Sequence, residues 1–183
     1  MKLSNDKYQV EILIDRTYTM QSTDNRHYDY TFNPNNLTRK DVTKAFNIHV
    51  YQNDNEKRYV LIGSLYSKDN DCAVLNGSLL TVLINDSISQ IDLESNCIIN
   101  HKVIDEDGCF FAIHKISNGY IVHGEFVVLK VDLLLNVTWT FSGADIFVTQ
   151  DDHPAFQIIN DRIVLRDWNN DIYELDMYGQ LIS

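Results

Sequence analysis

The chain has 183 residues and a mass of 21.2 kDa, with 44% hydrophobic and 22% charged residues, a length that fits one core and needs neither a disulfide framework nor a structural metal. Its longest unbroken apolar run, Cys109 to Ile113, is too short to cross a bilayer as a helix. The formal net charge of −11 is unevenly placed: residues 1–68 hold ten Lys+Arg against eight Asp+Glu, and residues 69–183 hold five against eighteen. So acidic a C-terminal portion repels phosphate backbones and anionic lipid, which argues against direct nucleic-acid or membrane binding, and it attracts basic protein surfaces.

Two compositional features set the expected fold class. Ile, Val and Thr number 19, 14 and 10, against five Ala and six Glu, so stiff β-branched side chains outweigh the helix formers and the protein should be mainly β. With only two Pro and seven Gly but 18 Asn and 20 Asp, turns fall to Asx side chains, which bond their own backbone and tolerate positive φ. Cys72, Cys97 and Cys109 form an odd set without CxxC spacing and read as reduced thiols. No apolar segment follows Lys2 and Lys7, so no secretory signal is read and a cytoplasmic location is the expectation.

In chain order, Tyr8 to Ile14 alternates with period two as a half-buried strand, and Arg26 to Phe32 is a weaker strand that could complete a hairpin. Thr38, with Asp41 three residues on, predicts the N-cap of a short helix running through Val42 to Phe46. Asn47 to Gln52 and Lys57 to Tyr66 flank the turn Asn53-Asp54-Asn55-Glu56 and predict a second hairpin. Residues 1–71 therefore read as a hairpin, helix, hairpin cap on an acidic region, 72–183, within one compact unit.

The acidic region repeats. Asn76-Gly77, Asn118-Gly119 and Asn160-Asp161 are turn signals spaced by 42 residues. Each is followed by an apolar strand, a short turn and a second strand ending in Ile91-Asp92-Leu93, Val131-Asp132-Leu133 or Leu175-Asp176-Met177. A further turn then places Asn96, Asn136 or Gly179 where positive φ is cheap. The predicted units are three four-stranded antiparallel meanders, Cys72 to Val103, Cys109 to Phe141 and Ala155 to Ser183, packed as blades or as a sandwich. With its repeated turn and the strand Val137-Thr-Trp139-Thr-Phe141, the region resembles quinoprotein-type or WD-type β-propeller blades.

The chain contains no GxSxG, HExxH, GxxxxGK[ST] or GxGxxG pattern, so the sequence supports no catalytic residue and no cofactor. A two-residue turn at Asn118-Gly119 would set His114 directly across from His123, with Glu125 further along the same face. That set could hold zinc or iron, and the alternative function is a ligand-binding or metal-dependent enzyme with a pocket at the blade loops. The main reading is a noncatalytic module that binds a basic protein through acids gathered between the units: Asp105, Glu106 and Asp107, then Asp151 and Asp152. Trp168, between Asp167 and Asp171 in a predicted turn, is the candidate anchor. By size and charge the chain resembles bacterial toxin-immunity proteins, which implies occlusion of a basic toxin such as a nuclease.

Overall fold

The computed structural model describes residues 1–41, 43–63, 70–106 and 108–182. The protein is mainly β, with no helix among the described residues. Sheet I contains β1 (Lys2–Ser4), β2 (Gln9–Asp15), β3 (Tyr30–Phe32), β4 (Lys44–Gln52) and β5 (Asn55–Gly63), in the order β1-β2-β4-β5-β3. Sheet II is the meander β6 (Ala73–Asn76), β7 (Leu79–Ile84), β8 (Ser87–Asp92) and β9 (Cys97–Val103). Sheet III is the meander β10 (Phe110–Ile116), β11 (Gly119–Gly124), β12 (Val128–Val131) and β13 (Val137–Phe141). Sheet IV has three strands, β14 (Phe156–Ile159), β15 (Arg162–Arg166) and β16 (Ile172–Asp176), and a single Leu175–Leu181 bridge stands where sheets II and III have a fourth strand.

The sheets pack as successive blades because their middle strands are apolar on both faces. On β11, Ile121 packs toward sheet IV with Val128, Ile163, Leu165 and Leu175, while its neighbour Val122 packs toward sheet II with Leu83 and Ile88. Between sheets I and II, Val10, Ile12, Ile48 and Leu61 meet Leu80 and Val82. Each fully buried side chain of this size contributes roughly 1.5–3 kcal/mol, so no single layer dominates. Buried Thr81 and Tyr120 pair their hydroxyls at 3.0 Å across sheets II and III, which satisfies two polar groups that burial would otherwise penalise.

The N-terminal part departs from expectation in two places. The predicted hairpin does not form: β2 pairs with β1 and β4, and β3 lies parallel to β5 at the far edge. The predicted helix is absent, although its cap signal operates locally. Asp41 accepts from the Thr38 N–H (2.6 Å) and Oγ1 (2.9 Å) and closes one turn. The chain then enters β4, where Ala45, Phe46, Ile48 and Val50 are buried between flanking strands; burial on a sheet outweighs a cap worth about 1 kcal/mol. Val42 and Tyr66 lie outside the described residues.

Turn positions also shift. Asn160 and Asp161 form the predicted two-residue turn, with φ of 50° and 57°. In the other two units the turn centres are Gly77-Ser78 and Ser117-Asn118, because Asn76 pairs with Leu79 and Ile116 with Gly119. In the later turn of the middle unit the positive φ belongs to buried Leu135, at 65°, and not to Asn136.

Candidate functional site

Acids divide into two populations. Asp92 and Asp176 end strands, Asp132 and Asp167 directly follow them, and all four accept backbone N–H groups from the following turn: Asp92 from Ser95 at 3.1 Å, Asp132 from Asn136 at 2.8 Å, Asp167 from Asp171 at 3.0 Å and Asp176 from Gln180 at 2.9 Å. Such bonds favour the charged form. The Ser95 hydroxyl and turn amides pull the Asp92 carboxyl down to about 2, and the Asn136 side chain and backbone lower that of Asp132. These carboxylates build turns.

Asp167 therefore leaves the predicted binding set. It is fully buried and also accepts from the Asn169 N–H and the Tyr173 hydroxyl, each at 2.9 Å. No partner can reach it.

The remaining candidates converge on one end of sheets III and IV, where four loops abut. The Glu125 N–H donates to the Cys109 carbonyl (2.8 Å), the Phe147 N–H to the Glu125 carbonyl (2.6 Å), and the Trp168 N–H to the Ile146 carbonyl (2.9 Å). The Asp145 carboxylate accepts from Asn169 Nδ2 at 2.9 Å. Residues 104–106 and 108–109 and the loops 124–127, 142–154 and 167–171 thus form a continuous surface. On it Glu106, Asp151, Asp152 and Asp171 are exposed and Asp105 is half-buried; Asp107 lies outside the described residues. The His153 backbone N–H and ring hold the Asp151 carboxyl below its ordinary range. Trp168 is 41% exposed, and Phe126, which sequence reasoning missed, is 60% exposed. Its only sequence signal is an aromatic in the turn Gly124-Glu125-Phe126, and Asp145 was missed because its role depends on Asn169.

The histidines are not opposite one another. His114 pairs with Ile121 and His123 with Ala112, since the turn is centred one residue earlier than expected. Both imidazoles instead stack on Phe156, at centroid distances of 4.8 Å and 5.1 Å, and buried His123 places Nε2 3.2 Å from the Phe147 carbonyl. Glu125 is held through its backbone in the adjoining turn. Among the described residues no three His, Cys, Asp or Glu side chains are grouped to hold a metal.

No protein-family model and no curated protein matches the chain. Among solved structures it is similar to BamB from Moraxella catarrhalis, at 11% identity and a TM-score of 0.49, over 80% of this chain and 47% of that one. It is also similar to Kluyvelomyces marxianus Hsv2, at 9% identity and a TM-score of 0.46, over 76% and 46% of the two chains. The chain spans about half the length of each.

Proposed function

We propose that this protein is a noncatalytic binding module that captures a basic protein partner on the acidic end of sheets III and IV. The observation that carries the reading is the setting of Trp168, 41% exposed among Asp151, Asp152 and Asp171 and fixed by its backbone to Ile146. Aromatic anchors held rigidly within a charged surround suit binding hot spots. The surrounding acids accelerate encounter with a basic surface, and salt weakens that effect. In its most specific form the module is an immunity-type inhibitor whose carboxylates occupy the basic site of a toxin such as a nuclease; size and charge support that form.

Affinity capture with the full chain, followed by binding kinetics at two salt concentrations, tests the proposal. A basic protein whose association rate falls with salt supports it. Reversing charge at Glu106, Asp151, Asp152 and Asp171 should slow association about ten-fold or more and flatten the salt dependence. A captured partner that binds this variant as fast as the parent protein overturns the reading.

A further inference from the structure

Sheets II and III each turn one set of side chains toward the sheet that follows. The pairing register makes these positions equivalent from sheet to sheet. Thr81 lies opposite Gln90 and Leu83 opposite Ile88 in sheet II, Ile121 opposite Lys130 and His123 opposite Val128 in sheet III, and Val164 opposite Glu174 and Arg166 opposite Ile172 in sheet IV. In sheets II and III all of these side chains are buried. In sheet IV, which no further sheet follows among the described residues, Val164, Arg166 and Glu174 are half-buried and Ile172 is 53% exposed.

One polar contact recurs in the covered layers. Gln90 Nε2 donates to the Leu133 carbonyl and Lys130 Nζ to the Met177 carbonyl, each at 3.4 Å. Those carbonyls directly follow Asp132 and Asp176, so sheets II and III each offer a donor to the same turn of the next sheet. Glu174 holds the equivalent position, and a carboxylate only accepts. It cannot repeat that contact with a further sheet of the same kind and needs a donor from whatever covers it. In the free chain that donor is Arg162 Nη1, on the same face at 3.1 Å, with both side chains partly exposed.

This face is complementary to itself. Gln157 and Ile159 of β14 stand beside Val164 and Arg162. With strands about 4.8 Å apart and residues about 3.4 Å apart, two such faces crossing near a right angle about a two-fold axis at Val164 bring Glu174 of each copy over Arg162 of the other, and Ile172 over Ile159. Arg162 and Glu174 cancel, Arg166 is within electrostatic reach of Asp151, and the Asp176 carboxylate is taken up by the Tyr178 and Gln180 amides. The patch is balanced in a chain of net charge −11, so two copies approach here without the repulsion met elsewhere on the acidic surface.

We infer that a second copy of this chain covers the outer face of sheet IV, forming a symmetric dimer in which Arg162 and Glu174 exchange partners across the two-fold axis. Three strands of four or five residues present a patch of only about 15 by 17 Å, at the small end of specific interfaces, so the dimer is weak, with a dissociation constant on the order of 100 µM. Ile159, Arg162, Val164, Ile172 and Glu174 are not residues of the acidic end, so this inference and the basic-partner reading stand or fall separately.

Sedimentation equilibrium of the full chain alone, from about 5 µM to 1 mM, tests it. The mean mass should rise with concentration from monomer toward dimer. Arg162→Glu and Glu174→Arg should each weaken association at least ten-fold by setting like charges opposite one another, and the double variant, which restores the pair with its signs exchanged, should recover to within about three-fold of the parent chain. Ile172→Lys, at an exposed position where folding is little affected, should also weaken association at least ten-fold. A chain that stays monomeric to about 1 mM, whatever else covers the face, overturns the assignment. So does a dimer that Ile172→Lys leaves unchanged, or a double variant no better than the single ones.

Discussion

The Tyr173 hydroxyl donates to Asp167 at 2.9 Å, tying strand β16 to the fully buried carboxylate that closes the turn before it. Removing that carboxylate leaves the Asn169 and Asp171 amides and the phenol without their acceptor. Asp167→Ala should therefore cost about 3 kcal/mol in urea unfolding, and Tyr173→Phe about 1 kcal/mol. Near-equal losses would show that the phenol, not the turn, is the main support.

Gly119 should be the less replaceable of two turn glycines. A Cβ there would lie 2.0 Å from the Val131 carbonyl, at a φ of 150°, whereas at Gly77, with φ 60°, it would meet open space. Gly119→Ala should cost roughly 3 kcal/mol or more through forced displacement of β12, and Gly77→Ala about 1 kcal/mol from backbone conformation alone. Thermal midpoints of the two variants check the order.

Acid should destabilise the protein in two windows. Burial lowers the pKa of His114 and of His101 below the ordinary 6.5. The unfolded chain therefore binds protons first, and the stability due to the neutral rings is lost as pH falls below about 6.5. Asp92, held near 2 against an ordinary 3.8, contributes stability that is present above about pH 4 and lost as pH falls through 2. Relief of self-repulsion in a chain of net charge −11 acts in the opposite direction, so variants isolate each group. His114→Phe should flatten the pH 7 to 5 part of a urea-midpoint profile, and an unchanged slope would remove His114 as its source.

Trp168→Ala and Phe126→Ala should separate binding from folding. Both side chains are substantially exposed, so each change should alter stability by less than about 1 kcal/mol. Loss of an anchor should raise the partner's dissociation rate about 30-fold, equivalent to about 2 kcal/mol. Surface plasmon resonance with the captured protein reads this directly, and a change confined to the association rate would count against an anchoring role.

Sequence by itself determined the β class, the strand segments after residue 72 apart from the fourth strand expected in the last unit, where only the Leu175–Leu181 bridge forms, and the Asp-ended turns, because alternation of apolar residues and Asx hydrogen bonds act over a few positions. It located the acids of loops 104–109 and 142–154 as well as Trp168. Tertiary structure decided whatever depended on distant partners. Thr38 and Asp41 form their local bonds, yet the chain beyond them becomes β4 because β2 and β5 flank it. The one-residue turn shift separates His114 from His123, and close approach of the Val131 carbonyl to Gly119 accompanies the register adopted. Asp167 and Asp171 look alike in sequence, but only Asp167 is enclosed beneath the turn and Tyr173. Spacing along the chain governs turns and alternation; burial and register depend on which remote segment excludes water from each side chain.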